Sequence, residues 1–539
     1  MCVSARVSVL VPLRCCVASP VAAPPRATRC RHTIKAAPSL RADGHLTRPP
    51  AAVLPTLRMS TALPATRGTP GATGADEREA VTVCAAFARV VAAAPRAPAL
   101  RWVRGAPGGA CEEWEYEHVA AAAARGACWL ARAVGASGER ACGRPPLVGV
   151  AVPEGAALPL VMMSVLLAGC APVPLDARGD PPPRLAAMLA RAAPAACVAA
   201  DAWTRRALLD ACALVGAGRD PSAVHTQRCE PAVVTADEFF ACPQGVAWLD
   251  DEEPFASEGM PALTPRAAEA LAARVNARAH AGPQAGSLVA SRVASLAATN
   301  VFPQAVSHVY FTSGSSGAPK ACVGTHACLA RYAVGKNATF GLSSVDCAFV
   351  ASAHTFDPSL GDIAAAFACG ASVALAPRAL VLGGQGALLS ALREARATTL
   401  LCTPTLLRLL PEGTARALST ELPDLRVVGL GGECMPKALA AEWAAAGETA
   451  KDLTLLNCYG LTECTVYQAC AVVRGAAFAR ALGPGLRRSH TELRVVSGDG
   501  SDIDSGRLVC AQDEHSVVGD GELGEVWYVH PIARAPSCL

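Results

Sequence analysis

The chain has 539 residues, 52 % of them hydrophobic and only 4 % aromatic, so it is long enough for several domains whose cores rest on small aliphatic side chains. Residues 1–75 hold nine Arg and one Lys against a single acid, Asp43, while the other 38 basic and 44 acidic residues make a slightly acidic body, which argues against nucleic acid as a partner. The 24 Cys contain no C-x-x-C pair, and Cys458, Cys464 and Cys470 stand six apart, which excludes a zinc ribbon and a small disulfide scaffold and leaves buried thiols in a reducing compartment.

Residues 1–78, rich in Arg, Ala, Pro, Ser and Thr, read as a disordered extension of the transit-peptide kind, addressed to a plastid or mitochondrion; without that address the protein is cytoplasmic. From residue 79 to 216 helical and strand patterns alternate. "VTVCAAFARVVAAA" is helical, "PALRWV" a strand, "EYEHVAAAAARGACWLARAVG" a long helix and "PLVGVAV" a strand. The uncharged run "AALPLVMMSVLLAGCAPVPL", residues 156–175, is broken by Pro159, Gly169, Pro172 and Pro174. Its helical piece is about 17 Å long at 1.5 Å per residue, short of a hydrocarbon core of roughly 30 Å. It reads as a buried helix followed by a buried strand, with no membrane partner. "PRLAAMLARAA" and "ACVAAD" repeat the helix–strand unit, and such alternation implies a parallel sheet covered by helices.

Residues 217–300 break the pattern with Pro, Gly and acidic clusters and one helical piece, "RAAEALAARVNARAHA"; they read as an inserted, partly disordered segment. Alternation resumes in residues 301–539, with strands in "DCAFVAS", "SVALAP", "TTLLCT", "LRVVGL", "LTLLNCY" and "EVWYV". At its start stands "YFTSGSSGAPK", Tyr310 to Lys320. The strand-like "SHVYF" before it and a helix opening at the N-cap Thr325 after it favour a loop that offers backbone N–H groups to a phosphate over a flexible linker. The Gly314–Gly317 spacing does not fit G-x-x-x-x-G-K-[ST].

Further segments follow: "VLLAGCAPVPLDARGDPPPRLAAML" upstream, then "HTFDPSLGDI", "VVGLGGECMP", "LNCYGLTECTV" and "GELGEVW". Together and in this order they resemble the adenylate-forming (AMP-binding) enzyme superfamily, and within it the amino-acid adenylation domains of nonribosomal peptide synthetases. The resemblance implies an α/β fold, the large N-terminal domain of adenylate-forming enzymes, with parallel βα subdomains and a small β-rich subdomain. It also implies activation of a carboxylate, in this branch an amino acid, by ATP as an acyl-adenylate with release of pyrophosphate. A phosphopantetheine carrier domain or CoA would then accept the acyl group as a thioester.

Carried over residue by residue, the resemblance makes Thr312, Ser313, Gly314, Ser315, Ser316, Gly317 and Lys320 the triphosphate loop. Tyr459 would stack on adenine beside Asn457 and Gly460, with Gly431, Gly432 and Glu433 next to it. Thr462 would touch the α-phosphate and, with Lys320, serve catalysis; Glu463 would hold Mg²⁺, a hard ion that takes oxygen ligands. Asp357, beside Phe356, would pair with the substrate ammonium, where the plainer reading is a helix N-cap for "PSLGDIAAAF". Pro358, Gly361, Leu401, Gly429, Cys458, Val466 and Tyr467 would complete the substrate pocket, whose small residues suggest room.

The sequence departs from the family pattern in three ways. Leu461 stands where the amino-acid branch has Pro, as in acyl-CoA synthetases; the 217–300 segment is long; and the family's T-G-D segment, hinge and small lid domain are absent before Leu539. The alternatives are therefore an acyl-CoA ligase and a catalytically weak nucleotide-binding or scaffold protein.

Overall fold

The computed structural model describes residues 82–104, 111–135, 145–217, 231–241, 288–313, 318–384, 386–410, 414–446 and 453–473, together with the short strands Arg6–Ser8, Arg31–His32, Glu492–Val496 and Glu525–Val529, which form a small sheet of their own. The remainder of the N-terminal extension and the "RAAEALAARVNARAHA" helix lie outside the described residues. The core strands are β1 (Pro98–Trp102), β2 (Glu112–Glu115), β3 (Leu147–Ala151), β4 (Ala171–Pro174), β5 (Ala196–Ala199), β6 (Ala232–Thr235), β7 (Val306–Ser313), β8 (Pro319–Thr325), β9 (Cys347–Val350), β10 (Ser372–Leu375), β11 (Thr399–Cys402), β12 (Val427–Leu430), β13 (Thr454–Tyr459) and β14 (Ala469–Val472).

Eight of these strands make one sheet in the order β14-β13-β12-β11-β9-β10-β1-β2, parallel from β13 to β1 and antiparallel at both edges. A second sheet, β4-β3-β5-β6, is parallel throughout. Central parallel strands are covered on both faces, so they read as unbroken apolar runs; β9 to β12 are buried at every position.

Helices α1 (Val83–Ala93), α2 (Tyr116–Gly135), α3 (Ala157–Leu167), α4 (Leu288–Asn300), α5 (His326–Phe340) and α6 (Pro358–Cys369) contribute to the largest apolar core. Thr82 caps α1 by accepting from the Ala85 N–H at 3.2 Å, and Thr325 caps α5 by accepting from the Cys328 N–H at 3.2 Å. Each residue of α3 from Leu158 to Leu167 is buried in protein, which accounts for its uncharged sequence. No described helix is long and apolar enough to cross a membrane.

Two sequence readings change. The Gly/Ser loop does not lead directly into a helix: it joins β7 to the antiparallel β8, and α5 starts only after β8. The short β8, "PKACVGT", was hidden because its first two residues are only half-buried and carry Pro and Lys. Within 217–300, β6 pairs in parallel with β5, and α4 buries Val289, Val293 and Leu296 in the core; both belong to the packed fold.

Candidate functional site

The chain crosses from β9 to β10 in one direction and then places β11 on the other side of β9. Connections leaving the carboxyl ends of β9 and β11 therefore diverge, and in open parallel sheets this switch point is where a ligand crevice forms. The segment after β9 is "ASAHTFDP", and the ends of β11, β12 and β13 deliver Leu401, Gly429 and Cys458 to the same edge.

Asp357 lies just before α6 and is 3 % exposed. Its side chain makes no capping bond to the helix; Oδ2 accepts from the Val466 N–H at 3.1 Å, across 109 residues. The N-cap reading of this residue is therefore set aside. Burial pushes the carboxyl up to about 7, against the pull of the Val466 N–H and the Thr462 hydroxyl and helped by the charge of Glu463. His354 in the same segment is structural: its backbone N–H donates to Glu154 at 3.0 Å, and its Nε2 lies 3.0 Å from the Leu175 carbonyl oxygen, joining the two sheets.

The Val466 N–H is aimed by a strained turn. Of four non-glycine residues with positive φ among the described residues, two are the adjacent Thr465 (70°) and Val466 (64°), and β-branched residues are outliers there. Gln468, which sequence reasoning missed, braces this turn. Its Nε2 donates to the carbonyls of Cys464 and Thr465 at 3.0 Å, and its Oε1 accepts from the Leu461 N–H at 2.8 Å. Gly460 lets the turn fold back: a Cβ there would stand 2.2 Å from the Val466 carbonyl oxygen and 2.4 Å from the Tyr467 Cα.

Pro358, Gly361, Leu401, Gly429, Cys458, Val466 and Tyr467 are all buried, and the Val466 N–H is the one that meets this carboxylate. Neighbouring rings stand close to several of the small residues. The Tyr332 ring comes within 2.7 Å of where a Gly361 Cβ would stand, the Phe340 ring within 2.6 Å of the Gly429 position, and the Tyr467 ring within 2.6 Å of the Gly431 position. Tyr467 is thus a packed wall, with Phe356 next to Gly432 at 3.2 Å on the same terms. The Cys458 and Cys470 sulfurs lie 3.0 Å apart as direct cross-strand neighbours on β13 and β14.

The residues assigned to the nucleotide line a more open rim. Asn457, Tyr459, Gly460, Thr462 and Glu463 are half-buried, and Gly432, Glu433 and Ser313 are exposed. Lys320 on β8 reaches Glu463 at 3.3 Å, so the lysine of the loop and the carboxylate assigned to magnesium meet directly. Thr312 lies opposite Lys320 in the hairpin, its hydroxyl 3.6 Å from the Cys322 sulfur. Glu433 accepts from the Thr405 hydroxyl at 2.6 Å and its N–H at 3.2 Å, which ties the end of β12 to the end of β11. Gly314, Ser315, Ser316 and Gly317 lie outside the described residues.

The sequence matches the family described as AMP-binding enzyme over residues 87–531. Delta-poly-L-ornithine synthetase of Acinetobacter baumannii is 33 % identical over 172 residues, 32 % of this chain and 12 % of that protein. Nonribosomal peptide synthetase atnA of Emericella nidulans is 33 % identical over 178 residues, 32 % of this chain and 2 % of that protein. The chain thus spans 12 % or less of the length of these curated relatives. Among solved structures, the complex of VinN with L-aspartate is similar in fold with a TM-score of 0.57 at 20 % identity, covering 84 % of this chain and 91 % of that one. The Klebsiella oxytoca NpsA N-terminal subdomain gives 0.54 at 16 % identity, covering 85 % and 88 %. A sequence match across most of the chain, on a fold shared with these structures, establishes that the chain belongs to the AMP-binding enzyme family.

Proposed function

We propose that the chain activates a carboxylic acid, specifically an amino acid, by transfer of AMP from ATP, forming an acyl-adenylate and pyrophosphate. A free carboxylate resists attack by a thiol because its leaving group would be oxide; adenylation supplies a good leaving group. Attack on the α-phosphorus builds charge on its equatorial oxygens, which hydroxyls, backbone N–H groups and cations stabilise. Thr462 and Lys320 sit on the rim to do this. Glu463 fits a hard divalent cation: it is a half-buried carboxylate already facing a cation, the Lys320 ammonium. A bound magnesium ion would supply further charge neutralisation to the phosphates there. The acyl-adenylate is the form from which a thiol, on a phosphopantetheine carrier domain or on CoA, takes the acyl group.

The observation that carries the amino-acid reading is Asp357, a buried carboxylate at the switch point that does not serve its own helix and has no ion-pair partner among the described residues. An arriving ammonium would stabilise its charged form. Binding at pH 6 therefore releases close to one proton, measurable from the dependence of binding heat on buffer ionisation. The relatives named for ornithine and solved with L-aspartate agree with an amino-acid substrate.

Asp357→Ala is expected to weaken binding of the preferred amino acid about 100-fold, roughly 2–3 kcal/mol, and to leave the matching des-amino acid nearly unaffected. Equal losses for both ligands would sink the assignment. Leu461 supports a second reading, a plain carboxylic acid passed to CoA; wild-type protein binding the des-amino acid as tightly as any amino acid would favour it.

A further inference from the structure

Cys458 on β13 and Cys470 on β14 stand 12 positions apart in sequence and directly opposite each other in the sheet, their sulfurs 3.0 Å apart. Both are free thiols and both are buried. The Val473 N–H donates to the Leu455 carbonyl at 2.8 Å, which makes Leu455 and Val473 a hydrogen-bonded pair. Pairs alternate along an antiparallel ladder, so Cys458 and Cys470, an odd number of steps further on, form a non-hydrogen-bonded pair. In such pairs the Cα atoms are about 4.5 Å apart and the side chains come closest. That spacing falls within the roughly 4.4–6.8 Å that a disulfide bridges. Strand β14 is the outermost of its sheet and only four residues long, and Val472 on it is exposed. The segment between the two cysteines is the turn that carries Tyr459, Thr462, Glu463 and the strained Thr465 and Val466.

We propose that Cys458 and Cys470 are a redox-modifiable dithiol, closed to a disulfide by exchange with a small disulfide of the glutathione type, and that the cross-link holds the turn between them shut. The inference is independent of the acid that the site activates. One cysteine thiolate attacks the small disulfide, forming a mixed disulfide and releasing one glutathione thiolate. The second cysteine thiolate attacks the protein sulfur of that mixed disulfide and releases the other. One protein dithiol and one glutathione disulfide thus give one protein disulfide and two glutathione thiols; the protein loses two electrons and the glutathione gains them. While β14 is paired, the Cys458 sulfur and burial hold the Cys470 thiol well above its ordinary range, against the pull of the nearby Lys336 ammonium. The closed pair is therefore a poor nucleophile. Release of one short edge strand exposes both sulfurs and leaves the parallel strands packed, so exchange starts from that local opening. Once the bond is made, β14 can no longer part from β13, and the same opening is closed to the turn.

The test incubates the full, reduced chain with excess glutathione disulfide, quenches in acid, unfolds, alkylates the remaining thiols and digests with trypsin. Residues 452–474 form one tryptic peptide that holds Cys458, Cys464 and Cys470. It is expected to carry one internal disulfide and one alkylated thiol, and chymotryptic cleavage after Tyr459 and Tyr467 is expected to place the link between Cys458 and Cys470. Cys464→Ser is expected to keep that link and Cys470→Ser to lose it. In the oxidised protein, amide hydrogen exchange across residues 459–469 is expected to slow about tenfold or more, while exchange in β9 to β12 stays unchanged. The exposed Cys434 reports that the reagent is active. Cys458 and Cys470 both still alkylated once Cys434 carries glutathione would overturn the proposal. So would a link through Cys464, a mixed disulfide that persists on either cysteine of wild type, or exchange across 459–469 that is equal in the two forms.

Discussion

The two sides of the site are built by opposite means. On the sheet side, Leu401, Gly429 and Cys458 stand at the ends of strands paired on both edges, and neighbouring rings stand against Gly361, Gly429, Gly431 and Gly432. On the hairpin side, Lys320 and Ser313 ride on a two-stranded ribbon, half-buried or exposed, and Lys320 meets Glu463 in a partly exposed ion pair. Selectivity calls for a wall that does not yield, because discrimination between side chains vanishes if the wall can adapt. Holding a highly charged, flexible triphosphate, as the proposed function requires, would call for groups that can exchange partners, with Lys320 and Glu463 separating to take up phosphate and cation.

The contrast is broken most severely at Gly460. A side chain there meets backbone atoms of the Val466–Tyr467 turn rather than flexible side-chain ends. Gly460→Val is expected to cost about 1–3 kcal/mol of stability and to abolish amino-acid binding, because the turn that aims the Val466 N–H must move. Thermal unfolding and calorimetric titration check this together. Binding at wild-type affinity would show that the turn is not part of the rigid wall.

The hairpin side should respond the other way. Lys320→Met removes a partly exposed ion pair, which changes stability by less than about 1 kcal/mol. It also removes a charge-assisted contact to phosphate, so ATP affinity should fall by about 10- to 100-fold. A loss of stability as large as that of Gly460→Val, with ATP binding intact, would make the Lys320–Glu463 pair a structural brace and erase the difference between the two sides.

Much of the sheet side was legible in the sequence, because central parallel strands appear as apolar runs and the motif segments fall at their carboxyl ends. The buried ion pair between Lys336 of α5 and Asp362 of α6 was not. Lys336 sits in a mixed helix and reads as a surface residue; its partner Asp362 lies 26 positions on, and no local pattern reveals the pairing. Glycines in a pocket wall read as empty space until the elements that pack onto them are known. Gln468 was equally silent, because its three hydrogen bonds depend on the two left-handed residues that bend the turn toward it. Strand β8 was lost for a different reason: its Pro and Lys near the loop break the apolar pattern of a strand only seven residues long.

Titration distinguishes the two sides with the smallest expected effect. His308 on β7 and His326 at the start of α5 anchor the root of the hairpin as neutral groups. Burial holds His308 down to about 4, and burial together with neighbouring His308 holds His326 down to about 3. An unfolded histidine titrates near 6.5, so between about pH 4 and 6.5 the unfolded chain binds the extra protons and stability falls as pH falls. Asp357 acts in the opposite sense. Its folded carboxyl titrates at about 7 and its unfolded one near 4, so the folded chain holds the extra proton and stability falls as pH rises through that window. Each group contributes up to about 1.4 kcal/mol per pH unit, so from pH 5 to 6 two histidines against one carboxyl leave a rise of about that size. Asp357→Asn should roughly double the slope, and His326→Phe should bring it close to zero. Urea unfolding at pH 5 and pH 6 on the three proteins reads these slopes directly. A slope untouched by His326→Phe would mean that the hairpin root does not hold its histidines neutral, and a slope untouched by Asp357→Asn would mean that the wall does not hold its carboxyl protonated.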